Sequence, residues 1–170
     1  SRTKAIVPVH WTGLLCDMER IHQIVEKYNL FIVEDACHAI NATRNNLRAG
    51  ALGSTACFSM HPLKNLNVWG DGGMIVTNSK KLHNKLMLLR NHGLIDRDFC
   101  EVFAYNSRLD TLQAIVGKYL IRRIDKITKA RIGNANYFDK HLSTIPQISV
   151  PVRLPSTRQV FHLYVIRVEQ

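Results

Sequence analysis

Lys64 stands in the stretch Phe58-Ser59-Met60-His61-Pro62-Leu63-Lys64-Asn65-Leu66, which runs on into Gly70-Asp71-Gly72-Gly73. No other Lys or Arg occurs between Ala49 and Gly73. Most lysines decorate solvated surfaces, whereas this one follows an apolar, strand-like run and precedes a glycine cluster. That setting predicts an amine held at a pocket, where a lysine shifts its pKa readily and can condense with a carbonyl compound as a Schiff base. Two more polar groups sit at the ends of apolar runs. Asp35 follows Phe31-Ile32-Val33-Glu34, and Ser59 follows Ala56-Cys57-Phe58, five residues before Lys64.

In doubly wound sheets, ligands bind at the carboxyl ends of parallel strands. An acid, a hydroxyl and a lysine at neighbouring strand ends suit a pyridoxal phosphate site. The lysine would attach the cofactor, the acid would keep its pyridine nitrogen protonated, and the hydroxyl would bind its phosphate. The same residues also fit a plainer reading, a capped strand end with surface side chains, since Asp commonly follows strands in turns. Spacing alone leaves both open.

The elements that must position these residues are legible from periodicity. Ala5-Ile6-Val7-Pro8-Val9 reads as a buried strand. Asp17 is an N-cap for a helix with Met18, Ile21, Val25 and Tyr28 on one face, closed at Asn29. Phe31-Ile32-Val33 is the next strand, and strand, helix and strand with short links make a right-handed βαβ unit with a parallel sheet. Continuous apolar strands fit a sheet covered on both faces. Thr55 to Phe58 and Met74 to Thr77 are two further strands, and Ser79 caps a helix carrying Leu82, Leu86 and Leu89 that Gly93 closes. Residues 96–105 read as loop. Ser107-x-x-Asp110 predicts a capping box before one long helix from Leu112 to Leu142. Pro146, Pro151 and Pro155 interrupt regular structure beyond that helix, and His162 to Val168 predicts a strand of a different, half-exposed sheet.

Composition bounds the partners. The 170 residues are 46% hydrophobic and 21% charged, which is globular composition, not disorder. The longest run without Asp, Glu, Lys or Arg, Ala49 to Leu63, is too short and too polar to cross a bilayer, so no membrane role is expected. Cys16, Cys37, Cys57 and Cys100 stand far apart without a Cys-x-x-Cys pair. That pattern speaks against a metal site or disulfide framework and for a reducing cytoplasm. Net charge is +10, with 23 Lys and Arg against 13 Asp and Glu. Much of the excess lies on Lys118, Arg122, Arg123, Lys126, Lys129, Arg131 and Lys140, as the wet face of a long helix does. No series of base-stacking aromatics accompanies it, which counts against a nucleic-acid binder.

Four motifs occur in order: Glu34-Asp35-Ala36-Cys37-His38-Ala39, the Phe58 to Asn65 stretch, Gly70-Asp71-Gly72-Gly73, and Tyr105-Asn106-Ser107-Arg108-Leu109-Asp110. Together they resemble the sugar aminotransferases of the DegT/DnrJ/EryC1/StrS family. Ala5 to Val9, Arg90-Asn91-His92-Gly93 and the long helix also fit, so the resemblance covers nearly the whole chain. It implies an α/β fold of the aspartate aminotransferase type: a mostly parallel sheet flanked by helices, a long interdomain helix and the start of a small α+β domain. Residues 1–141 would belong to the large domain and 142–170 to the small one. The implied activity is pyridoxal-phosphate-dependent transfer of an amino group, with glutamate as donor, to a keto group of a nucleotide-linked sugar.

Residue by residue, the resemblance implies that Lys64 is the Schiff-base lysine and the proton carrier. Asp35 matches the partner of the pyridine nitrogen, His38 a contact on the side of the ring hydroxyl, and Ser59 a phosphate ligand. Asn106 matches an asparagine that reaches the neighbouring subunit's cofactor, which implies a homodimer with shared sites. No metal is implied. Met60, Cys37 and Asn67-Val68-Trp69 depart from the usual residues as changes of pocket wall. The family's N-terminal segment, with a ring-stacking residue and a Gly-Thr phosphate site, and the rest of its small domain have no counterpart in the 170 residues. The resemblance therefore implies an incomplete site and an inactive fragment. A sugar dehydratase of the same family carries histidine in place of the lysine, so Lys64 points to the transaminase. A noncatalytic or degenerate relative is the alternative from another class.

Overall fold

The computed structural model describes residues 2–169. Strand β1 (Ala5–Ile6), helix α1 (Met18–Tyr28) and strand β2 (Phe31–Asp35) form the expected parallel unit, with Ala5 opposite Phe31 and Ile6 opposite Ile32. Asp17 caps α1 by accepting the Arg20 N–H, and Asn29 closes it in the left-handed region at φ 51°. The first strand is shorter than residues 5–9. Its ladder lapses near Pro8, which has no N–H to give, and resumes as a bridge between Val9 and Asp35.

A hairpin of β3 (Thr43–Arg44) and β4 (Leu47–Arg48) comes next, which the hydrophobic pattern does not announce. Its Asn45-Asn46 turn has φ of 48° and 63°, a conformation that asparagine tolerates better than most residues. Strand β5 (Thr55–Ser59) lies parallel to β2, and β6 (Gly73–Val76) lies antiparallel to β5. The main sheet thus has the order β1-β2-β5-β6, three parallel strands and one antiparallel edge. Helix α2 (Lys80–Leu89) is capped by the Ser79 hydroxyl, which accepts from the Leu82 N–H. Gly93 follows at φ +71°, where a Cβ would fall 1.7 Å from the Val102 carbonyl oxygen.

The single long helix is in fact two, α3 (Thr111–Ile121) and α4 (Ile124–Leu142), and the cap of α3 is Asp110, not Ser107. The break at Arg122 and Arg123 lets Leu120 and Ile124 pack against one apolar cluster of Met60, Leu66 and Val68. The larger cluster joins Leu15, Ala36, Ala39, Ala42, Ala49, Ala56, Phe58 and Val160 under the sheet.

Strand β7 (Ile148–Ser149) pairs with β9 (Arg167–Val168) in a small separate sheet, and β8 (Thr157–Arg158) pairs back onto β3. The strand expected from His162 to Val168 is therefore confined to its last residues. The segment 160–162 that leads into it has its main-chain groups bonded elsewhere. The Val160 N–H donates to Gly13, the His162 N–H to Thr12, and their carbonyls accept from side chains. The accessible surface, 11,942 Å², is well above the roughly 8,500 Å² that size scaling gives for a compact monomer of 19.4 kDa. Trp69, Phe103, Tyr105 and Leu112 are among the apolar side chains it leaves open.

One buried carboxylate ties the sheet to its loops. Glu34 is 0% exposed, between Asp35 and Val33 on β2. Its Oε1 accepts from the N–H groups of Leu52 (2.6 Å) and Gly53 (2.8 Å), and its Oε2 from the Gly50 N–H (2.8 Å). Oε2 also meets Nε2 of His10, 3.0 Å away and equally buried. Burial alone would raise the Glu34 carboxyl, but His10 and the three N–H groups outweigh it and hold the pKa below the ordinary 4.5. A carboxylate with a depressed pKa contributes stability above its unfolded value, and that contribution is lost as pH falls through the folded one. Glu34→Gln should cost about 3–5 kcal/mol in urea unfolding, since it leaves buried donors facing an NH₂ group. It should also flatten the fall of stability below pH 4.5.

Candidate active site

Strands β2 and β5 end side by side, with Asp35 opposite Cys57, and their carboxyl ends deliver the polar groups. Side chains alternate along β2, so Ile32 and Glu34 turn to the buried face and Asp35 to the other. Asp35 Oδ1 accepts the Cys37 N–H at 3.1 Å, which makes it the cap of the turn after the strand. That bond uses one carboxylate oxygen. The Cys37 thiol is pushed up to about 11 by burial, then by the Asp35 bond and charge, so it stays a thiol at neutral pH.

His38 follows on the same turn. Its Nδ1 accepts the Thr12 N–H at 3.3 Å, and its ring lies 5.0 Å from Trp11 and 4.2 Å from His162, centroid to centroid. Burial first, and the Lys64 cation second, hold His38 below 6.5 against the pull of Asp35. His162 is pushed down to about 4 by burial, then by His38, Lys64 and Arg131. Its Nδ1 is buried and has no hydrogen-bond partner among the described residues. Lys64 thus lies within electrostatic reach of Cys37, His38 and His162, and Asp35 within reach of Cys37 and His38. Lys64 itself is half-buried and makes no ion pair among the described residues.

Ser59 ends β5, and its Oγ accepts the His61 N–H at 3.3 Å, which leaves the hydroxyl hydrogen to donate. The loop that carries Lys64 returns through the glycine cluster. A Cβ on Gly72 would lie 2.8 Å from Val68 and 2.9 Å from Leu109, and one on Gly70 2.8 Å from the Gln113 amide. Gly72 thus packs tightly against Val68 and Leu109, and the Gln113 side chain from α3 donates to the Asp71 carbonyl beside it. Asn106 is elsewhere. It is exposed before α3, bridges Asn91, and accepts from Arg108 Nε at 3.1 Å. No hydrogen bond or charge contact joins it to the Lys64 group among the described residues.

Sequence reasoning missed Glu34, Asn65, Arg131 and His162. For Glu34 a signal was present in the alternation, since Ile32 and Glu34 must share one face of β2. His162 was hidden inside a run read as strand. Its pKa near 4 predicts an imidazole that stays neutral from pH 8 down to 5 in an NMR titration. Lys64→Ala, by removing a cation, should raise that value.

The sequence matches the model of the DegT/DnrJ/EryC1/StrS aminotransferase family over residues 1–170. It is 38% identical over 169 residues to dTDP-3-amino-3,4,6-trideoxy-alpha-D-glucose transaminase of Streptomyces venezuelae, covering 99% of this chain and 45% of that one. It is 42% identical over 171 residues to dTDP-3-amino-3,6-dideoxy-alpha-D-galactopyranose transaminase of Aneurinibacillus thermoaerophilus, covering 100% and 47%. Among solved structures, S. venezuelae DesV in complex with a ketimine intermediate superposes with a TM-score of 0.94 at 38% identity, over 99% of this chain and 46% of that one. Helicobacter pylori PseC, an aminotransferase involved in pseudoaminic acid biosynthesis, gives 0.93 at 28%, over 99% and 46%. The chain spans about half the length of the curated relatives it matches. Its α/β fold with a mostly parallel sheet is the fold of these aminotransferases. From the match along its whole length, the chain belongs to the DegT/DnrJ/EryC1/StrS aminotransferase family.

Proposed function

We propose that the protein containing this chain is a pyridoxal-phosphate-dependent aminotransferase that moves an amino group from glutamate to a keto group of a nucleotide-linked sugar. The observation that carries the proposal is that Asp35 at the end of β2, His38 on the turn after it and Lys64 in the loop after β5 lie close enough for their charges to act on one another, with the His162 ring packed on His38. The names of the two transaminases above, both of dTDP-linked sugars, support the substrate class.

The donor set fits the cofactor. Among the described residues it holds an amine without an ion pair, a carboxylate at the cap of a turn, a hydroxyl whose hydrogen is left to donate, and a buried imidazole nitrogen without a partner. Pyridoxal phosphate supplies an electron sink for the carbanion left when a substrate carbon loses its proton. Lys64 Nζ would bind it covalently and, once displaced by an incoming amine, take that proton and return it. Asp35 would hold a proton on the ring nitrogen. His38, neutral and braced by the Thr12 N–H, would orient the hydroxyl side of the ring, and Ser59 would donate to the phosphate. Asn106 would serve the site of a second subunit, so the working unit is a homodimer with shared sites. Residues 1–141 would form part of the large domain and 142–170 the start of the small one, in a cytoplasmic enzyme.

The test uses the full-length protein with pyridoxal phosphate, glutamate and a nucleotide-linked keto sugar, and follows 2-oxoglutarate. Lys64→Ala should lower kcat by at least about 10²–10⁴-fold, the range for a lost general base. A variant that keeps the wild-type rate would sink the proposal. For the shared site, co-expressed Lys64→Ala and Asn106→Ala subunits should recover activity that neither homodimer has, because each hybrid contains one intact site. No recovery would remove Asn106 from the site.

A further inference from the structure

The residue after the candidate reactive lysine is tied to a distant segment of the chain. Asn65 is 5% exposed, and its Nδ2 donates to the carbonyl of Val160, 95 residues on, at 3.0 Å. The Val160 carbonyl needs a donor, which settles the orientation of the amide and leaves Asn65 Oδ1 buried without a partner among the described residues. A side chain serving only to fill space at this position would gain from being apolar, because burying an unpaired carbonyl is unfavourable. The bond to Val160 is what the asparagine adds.

The segment it grips is held along both edges. On one side the Val160 N–H donates to the Gly13 carbonyl, the His162 N–H to the Thr12 carbonyl, and Gln159 Nε2 to Thr12 Oγ1. Gly13, at φ +91°, has no room for a side chain, since a Cβ would lie 2.6 Å from Val160 Cγ2. On the other side Arg131 Nη1, from α4, donates to the carbonyls of Phe161 (3.0 Å) and His162 (3.4 Å). Three consecutive carbonyls are therefore taken by two side chains, one of them next to Lys64. His162, at the end of this strap, places its ring against His38.

We propose that Asn65 is a positioning residue for Lys64: its bond to the Val160 carbonyl fixes the backbone of the lysine on the strap 159–162, so that the amine is correctly placed only when the strap is seated. The inference rests on the function proposed above for Lys64. Asn65 acts through its neighbour and touches no reacting atom. Its loss should therefore slow the step at the amine and leave binding of the sugar nucleotide unaltered.

The test uses the full-length protein loaded with pyridoxal phosphate. Asn65→Ala and the milder Asn65→Ser, whose hydroxyl is too short to reach Val160, are measured well below their melting temperatures. Both should attach the cofactor to Lys64 about tenfold more slowly and show kcat lowered about tenfold, the size of one lost hydrogen bond, with KM for the sugar nucleotide unchanged. Arg131→Lys, which loses the planar fork at the other edge of the strap, should act in the same direction. Its loss combined with Asn65→Ala should be smaller than the product of the two single losses, because both act through one strap. Should neither Asn65 variant fold, Arg131→Lys alone decides on the same readouts. Lowered melting temperature with wild-type attachment rate and kcat would overturn the inference, as would a rise in KM at constant kcat. If the wild-type protein itself attaches no cofactor at Lys64, the functional reading fails and this inference falls with it.

Discussion

A carboxylate buried in the middle of a parallel strand has to be neutralised by its neighbours, and in this chain that requirement organises the sheet end. Glu34 cannot lose its four donors without leaving a charge in a dry interior. Three of them are loop amides at Gly50, Leu52 and Gly53, and the fourth is His10, in the turn after β1 next to the Val9 bridge. The loop before β5 and the turn after β1 are thereby fastened to the same two oxygen atoms. Because side chains alternate along a strand, fixing Glu34 inward presents Asp35 on the opposite face.

The outward face gathers the chemistry. Asp35 and His38 come from one short turn, Ser59 and Lys64 from the end of the next parallel strand and its loop, and His162 from far along the chain. Their charges are mutually limiting. Burial and the Lys64 cation keep both imidazoles neutral, and burial with Asp35 keeps Cys37 protonated. Neutral hydrogen-bonding groups thus surround one amine and one carboxylate, the setting on which the proposed cofactor role of Lys64 and Asp35 rests.

Local signals were the ones legible in sequence. Asp17, Asn29 and Ser79 stop and start helices through bonds to their own neighbours, so their residue types carried the message, whereas α2 ends at Leu89 with Arg90 as its cap, three residues before the Gly93 expected to close it. The acid at the strand end and the loop that carries Lys64 were also readable, because each follows an apolar run long enough to mark a strand. The break between α3 and α4 was not, since no Pro or Gly marks it and tertiary packing of Leu120 and Ile124 imposes it. Nor were the strap at 159–162 and the His10–Glu34 pair, whose partners are separated by tens of residues. Alternating apolar residues from His162 read as a strand, and contacts with Thr12 and Arg131 take the main chain of its first residue, His162, elsewhere.

Every role proposed for the site turns on Lys64 as the residue to which the cofactor attaches. Borohydride reduction of the full-length protein in the presence of pyridoxal phosphate, with the modified peptide mapped by mass spectrometry, reads that attachment directly. A single pyridoxyl group is expected on Lys64, within the peptide that contains His61 and Asn65. A label on another lysine, or no label in a folded full-length protein, would contradict it.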